Sequence, residues 1–293
     1  MFEKLTSCPI CDHKEYDNFM ICKDHMLTGE SFAISQCKNC SFLFTNPRPI
    51  LSEIGKYYHS DEYISHSNQL NNIRDLLYKL ARFYTLRNKV KLINSLSKKN
   101  NVMDFGCGTG DFLYSCRQSS WNIYGYEPEE KARKQAEIKT KASINKTLLE
   151  LKNLPQFEII TLWHVLEHIH DLNDTLSLLK GKLAKNGKLL LAVPNAASLD
   201  AKIYNEYWAA YDVPRHLYHF TQKTMRTLLH KHALKIYQTL PMTLDAYYVS
   251  MLSEKYKNGS QNLIKSFTNG YKSNDYGKKN KLNYSSIIYI AGK

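Results

Sequence analysis

The spacing of apolar residues changes three times along the chain, and the changes outline its organisation. Residues 1–45 hold short apolar stretches broken by cysteines and turn formers, the pattern of short strands. Residues 46–70 carry Asn46, Pro47, Pro49 and many Tyr, Ser and Asn, and read as a connector. From about residue 70 to 97 the spacing turns helical, with Leu76, Leu80, Phe83, Leu86, Val90 and Ile93 three or four apart. Beyond residue 100, apolar runs alternate with helical segments. Val102–Phe105, Ile123–Tyr126, Phe157–Trp163 and Lys188–Val193 predict strands. Pro128–Lys139, Asp171–Leu183 and Thr221–His232 predict helices, the second stopped at Asn186–Gly187 and the third capped by Thr221. Leu234–Leu240 and Ser285–Ile290 predict two late strands. This alternation predicts an α/β fold with a doubly wound parallel sheet, and three units: 1–45, 46–98 and 99–293.

Composition narrows the class. The chain has 293 residues, 43% hydrophobic and 23% charged, which is ordinary for a soluble globular protein and enough for a large core without disulfides. Apolar runs such as Ile159–Trp163 and Leu189–Val193 are too short to span a bilayer. The first residues, Met1, Phe2, Glu3 and Lys4, do not open a secretory leader, so the expected compartment is a reducing cytoplasm. Membrane-spanning, disordered, collagen-like and disulfide-stapled classes are excluded on this reading. The net charge is +13, and nearly all of it lies in two segments: 81–100, with six Lys/Arg and no acid, and 251–293, with eight Lys and two acids. Such segments suit nucleic acid or another anionic surface, or are solvated helix faces. Neither carries a nucleic-acid-binding signature.

Cys8-Pro-Ile-Cys11 and Cys37-Lys-Asn-Cys40 are two C-x-x-C pairs. Two residues between cysteines let both thiolates face one ion, and two such knuckles complete a tetrahedral four-cysteine site. The expected metal is a structural zinc in a closed site; a redox dithiol pair is the alternative. Cys22, Cys107 and Cys116 read as small buried apolar residues.

The most informative stretch runs from Val102 to Asp111. A strand leads into Gly106-Cys107-Gly108-Thr109-Gly110, and a helix follows. A dinucleotide fingerprint requires a third glycine where Asp111 stands, and Asp104 precedes the first glycine by two. Both features point to a ligand bearing an ammonium group.

These residues resemble the first motif of class I S-adenosylmethionine (SAM)-dependent methyltransferases, a D/E-x-G-x-G-x-G turn matched by Asp104, Gly106, Gly108 and Gly110. Their second motif, an acid closing the next strand, is matched by Glu127. One carboxylate there accepts both ribose hydroxyls. Their fourth-strand motif looks like Phe157–His164, which implies that Trp163 and His164 stand beside the cofactor, as does Cys107 within the turn. The resemblance covers about residues 100–240, and the late strands agree with the family's closing hairpin. It implies a Rossmann-like methyltransferase sheet with a closing antiparallel strand, joined to a small N-terminal zinc-ribbon-like β module.

His164-Val165-Leu166-Glu167-His168 also reads as H-x-x-E-H, a zinc-peptidase signature. That chemistry needs both histidines within one helix, and here His164 closes a strand. Ubiquinone-biosynthesis O-methyltransferases carry E-x-x-E-H at this place, implicated in divalent-metal binding. This chain matches Glu167 and His168 but has His164 where the first Glu stands, which argues against Mg²⁺. Packing and hydrogen bonding at the start of the next helix is the expected role.

Between the fifth strand and the next helix lies Trp208–Thr221, rich in aromatics. In a doubly wound fold such a loop lines the crevice, and its composition suits a partly apolar pocket. The loop resembles one in small-molecule methyltransferases that carries a histidine ahead of F-[ST]. His216 is the expected general base and His219 the second candidate, with Arg215 placed to hold a substrate anion; the alternative is that these histidines pack structurally. Tyr247, Tyr248 and Asp245 are expected to close the pocket. The reading is methyl transfer from SAM to an O, N or C nucleophile of a small-molecule acceptor. The alternatives are an RNA methyltransferase docking RNA through its zinc module and basic helices, and a non-catalytic scaffold.

Overall fold

The computed structural model describes residues 1–58 and 73–293, with the backbone alone for 73–81. Connector residues 59–70 and the side chains of Leu76 and Leu80 lie outside the described residues. In chain order, the N-terminal part holds β1 (Phe2–Glu3), β2 (Tyr16–Lys23), β3 (Ser31–Cys37), β4 (Leu43–Thr45) and β5 (Arg48–Pro49). Then come α1 (Ile73–Leu96), β6 (Asn101–Phe105), α2 (Asp111–Gln118), β7 (Asn122–Tyr126), α3 (Glu130–Thr140), α4 (Leu148–Leu151) and β8 (Phe157–Trp163). The remainder is α5 (Leu172–Lys182), β9 (Leu183–Pro194), α6 (Leu199–Tyr204), β10 (Tyr218–His219), α7 (Gln222–Lys231), β11 (Lys235–Pro241), α8 (Asp245–Asn258), α9 (Leu263–Lys279) and β12 (Ser286–Gly292).

The main sheet has the order β11-β12-β9-β8-β6-β7. Strands β7, β6, β8 and β9 are parallel, and β12 inserts antiparallel between β9 and β11. The expected doubly wound sheet with a closing antiparallel strand is therefore present. Its central strands are apolar on both faces because helices cover both. In β9, Leu190 and Ala192 face Val90 and Ile93 of α1 with Phe112 and Cys116 of α2, while Leu189, Leu191 and Val193 face the Leu172–Leu179 stripe of α5 and Leu228 of α7. Strand order reverses between β6 and β8, which opens a crevice at their carboxyl ends.

The second predicted helix ends earlier than its Asn186–Gly187 signal. Residues 183–187 already belong to β9, where Leu183 pairs with Phe157 across a register shift. A side chain at Gly187 would come within 2.6 Å of Phe157 O, so this glycine serves close strand approach, not a helix cap. Helix α3 starts at Glu130, two residues later than predicted, because the Glu129 carboxylate caps Lys131 N and Ala132 N.

The N-terminal sheet has the order β10-β4-β3-β2. Its outermost strand comes from the loop that precedes α7: Tyr218 pairs with Phe44 and His219 with Leu43. Among the described residues no helix is long and apolar enough to cross a membrane.

Candidate active site

The crevice is built from the glycine turn. After β6, Gly106 (φ 77°), Gly108 (φ 52°) and Gly110 (φ 78°) all take the left-handed conformation that favours glycine. A Cβ on Gly106 would lie 2.6 Å from Val165, and one on Gly110 2.9 Å from Ala136, so these two glycines permit close packing. Gly108 differs: among the described residues nothing lies within 4 Å of its Cβ position, so the turn presents bare backbone there. Gly108 N donates to Glu127 Oε2 at 2.8 Å, and Glu129 N donates to Oε1 at 3.0 Å. The acid closing β7 is thus held against the turn, and burial raises its pKa. Asp104 is buried and accepts the Thr161 hydroxyl at 2.6 Å; desolvation pushes its carboxyl up to about 6. Cys107 backs the turn, its Sγ against Gly125.

The end of β8 forms the next wall. Trp163 packs edge-on against Phe112 at 5.5 Å, and Lys89 Nζ stands 4.2 Å above its indole. His164 takes φ 57°, which turns the chain out of the strand. Its Nε2 lies 3.0 Å from Asp245 Oδ2 and its Nδ1 3.4 Å from Glu167 Oε1. Burial alone would lower the imidazole pKa; the two carboxylates outweigh it and raise it to about 9. The expected cofactor residues Asp104, Gly106, Cys107, Gly108, Gly110, Glu127, Trp163 and His164 all stand around this turn and its neighbouring strand ends. Lys89 was not legible as a site residue. It belongs to a basic segment that reads as a solvated face, and its contact with Trp163 depends on how α1 crosses the sheet.

The loop from Trp208 to Thr221 closes over the residues that follow β8. Leu217 N donates to Glu167 O at 2.8 Å, and His168 Nδ1 lies 3.0 Å from Arg215 O and 2.8 Å from the Tyr58 hydroxyl. The His168 and His216 rings meet edge to face at 4.6 Å. Glu167 is fully buried and neither carboxylate oxygen makes an aligned hydrogen bond among the described residues. Ligand atoms of Glu167, His168 and His216 lie within 4.8 Å of one another, a spacing that would suit one shared ion. His216 Nδ1 is 2.8 Å from Ala210 O. A carbonyl only accepts, so Nδ1 carries the proton and Nε2 keeps the lone pair in the neutral ring.

The other two loop residues are engaged within the protein, His219 as in the packing alternative. His219 is buried with Nε2 3.2 Å from the Thr45 hydroxyl and its ring edge-on to Tyr211, which ties the loop to the N-terminal sheet. Arg215 is 1% exposed and bonded to Asp24, Asp212 and Tyr57 O. Two carboxylates of the chain itself neutralise it, so it does not hold a substrate anion. Asp24 was invisible as its partner because it lies 191 residues away. Asp245, expected to close the pocket, pairs with His164. Tyr247 instead stacks on Phe267 at 4.8 Å.

The four N-terminal cysteines converge. Cys8 and Cys40 sulfurs are 3.5 Å apart, as are those of Cys11 and Cys37, and all four lie within 4.8 Å. Two thiolates about 2.3 Å from a tetrahedral zinc stand about 3.8 Å apart, so the donor set fits that ion. Asn173 of α5 donates to Pro9 O at 2.9 Å, and Lys231 pairs with Asp12 at 3.0 Å, which docks the first knuckle on the main domain.

A family model described as a methyltransferase domain matches residues 77–239, more than half of the chain. The chain belongs to this family. It is a SAM-dependent methyltransferase, and the open face at Gly108 between Asp104 and Glu127 fits the cofactor. Solved structures similar to the methyltransferase include magnesium protoporphyrin IX methyltransferase from Synechocystis PCC 6803 with bound S-adenosylhomocysteine, at 14% identity and TM-score 0.50, covering 81% of this chain and 91% of that one. Another is the StiE O-MT, residues 961–1257, at 16% identity and TM-score 0.52, covering 76% and 78%. At such identities the likeness is one of fold. A search of curated protein sequences finds no match to the methyltransferase.

Proposed function

We propose that the enzyme methylates an oxygen, nitrogen or carbon nucleophile of a small-molecule acceptor of the sugar, quinone-like or secondary-metabolite kind, with His216 as general base. The observation that carries this reading is the fixed tautomer of His216, whose Nε2 keeps its lone pair 3.9 Å from Asp212 Oδ2, in an aromatic loop that closes over the residues after β8. SAM, when bound, supplies a methyl group already activated on a cationic sulfur. Asp104 and the backbone of the glycine turn would hold its methionine end, Glu127 its ribose, and Trp163 with His164 the wall beside the transferred group. The loop's part is to orient the nucleophile and exclude water; such positioning is worth roughly 7–11 kcal/mol of a barrier. His219, taken by Thr45, keeps the loop in register. Cys8, Cys11, Cys37 and Cys40 would hold a structural zinc with no open coordination position.

Purified enzyme with methyl-labelled SAM should transfer label to a pool of small hydroxylated, aminated or quinone-like acceptors and not to RNA. Label in RNA with none in small molecules would overturn the acceptor class, and steep salt dependence of RNA binding would accompany it.

A further inference from the structure

The α8–α9 hairpin is built inside out. The face of α9 turned to the protein carries Ser266, Asn269, Gly270, Ser273 and Gly277. A Cβ on Gly270 would meet the Tyr247 ring at 2.6 Å, and one on Gly277 the Tyr284 ring at 2.8 Å. Asn269 donates to the Tyr204 hydroxyl at 2.9 Å and Ser273 to Asp200 at 2.6 Å, so this small polar face is firmly fixed. The outward face carries the large apolar groups: Ile264 is 83% exposed, Phe267 65% and Tyr271 61%, with Leu263 beside them. Large apolar groups gathered on one outward face mark a contact site.

We propose that this face docks on an anionic lipid bilayer, so that the acceptor is an apolar or lipid-tethered molecule presented at that surface; the acceptor clause rests on the proposed function above. Ile264 and Tyr271 stand seven residues apart, as do Lys265, Lys272 and Lys279, so an apolar row and a lysine row run side by side along about 25 Å of helix. Residues 251–280 hold six lysines against two acids; Glu254 pairs with Lys265 at 3.4 Å and Asp275 with Lys279 at 2.7 Å, which leaves Lys255, Lys257, Lys272 and Lys278 as the excess positive charge. An apolar stripe flanked by lysines is the pattern of a helix lying in a headgroup layer, with the rings in the acyl boundary and the ammonium groups among lipid phosphates. A second copy fits less well, because a two-fold contact through this face would oppose its own lysine rows. The stripe also adjoins the site. Phe267 stacks on Tyr247, two residues from Asp245, whose carboxylate holds His164.

The test is co-sedimentation of the full chain with vesicles of phosphatidylglycerol and phosphatidylcholine, against pure phosphatidylcholine. The expected result is binding to the anionic vesicles alone, weakened by salt, and lowered about tenfold or more in Ile264→Glu/Phe267→Glu and in Lys272→Glu/Lys278→Glu. All substituted positions are exposed, and S-adenosylhomocysteine binding by each variant confirms its fold. A chain that binds S-adenosylhomocysteine but leaves every vesicle unbound overturns the proposal, whether light scattering then shows a dimer lost in the Phe267 variant or a monomer. Equal vesicle binding by parent and variants overturns it too. Vesicle binding without S-adenosylhomocysteine binding would sink the cofactor reading and leave the docking surface standing.

Discussion

Changing His216 to alanine should lower kcat by about 10²–10⁴-fold, the usual contribution of a positioned base, while affinity for S-adenosylhomocysteine stays the same. The split follows from where the ring is held. His216 bonds to Ala210 O and lies against His168 near Glu167, whereas the residues proposed for the cofactor stand at and just after the ends of β6, β7 and β8. Thr45 accepts no help from the ring itself: its hydroxyl donates to the His216 carbonyl at 2.7 Å, a contact that alanine retains. The loop keeps this tie to the N-terminal sheet, while the ring's own bond to Ala210 O is lost. His219→Gln offers the contrast, since its ring serves the contact with Thr45 and its loss should appear in the melting temperature as much as in rate. Steady-state kinetics with a found acceptor, beside calorimetric binding of the product, separates the two. An unchanged kcat in His216→Ala would remove this residue from proton transfer.

The second large effect is expected from the cysteine cluster. Cys37→Ser should remove one zinc per chain by metal analysis and destabilise far more than the N-terminal sheet. Structural zinc in isolated zinc-finger peptides is worth about 10–16 kcal/mol at neutral pH, a measure of how completely such knuckles depend on the ion. Here the knuckles share one apolar core with the main domain: Cys8, Ile10, Phe42 and Phe44 join the cluster that includes Leu217, Phe220 and Leu228. The buried Arg215–Asp24 pair, at 2.9 Å, spans the same boundary, and separating the two would leave each charge buried and alone. Loss of the metal should therefore loosen the loop that carries His216. A drop of about 2–4 °C in melting temperature per kcal/mol lost is expected for a chain of this size class, with activity falling alongside. A metal-free protein that melts and turns over as the parent does would show that the cysteines hold no structural ion.

Legibility of the chain tracked how local each physical cause is. Strand β8 matches its prediction residue for residue, because Phe157–Trp163 is an apolar run buried on both sides. The glycine turn was legible because its left-handed conformations select glycine at 106, 108 and 110. Helices α8 and α9 were not, since the inward face of α9 is small and polar and the apolar period points to solvent. Strand β10 was read as loop because its partner β4 lies about 170 positions away, and a two-residue strand has no period of its own. Arg215 looked like an anion site for a similar reason: a distant carboxylate that satisfies a buried guanidinium leaves no mark on neighbouring sequence. The proposed cofactor side of the site thus rests on local backbone geometry, and the proposed acceptor side on contacts between distant segments.

The central claim, a SAM site on the glycine turn, is tested most directly by calorimetric titration of the zinc-replete protein with S-adenosylhomocysteine, with NAD as the comparison. Saturable binding of the first and none of the second is the expected result, because Glu127 is held against the turn where a ribose-binding acid is expected and the third glycine that the dinucleotide fingerprint requires is absent at 111. A folded protein that binds NAD, or that binds neither compound, would contradict it.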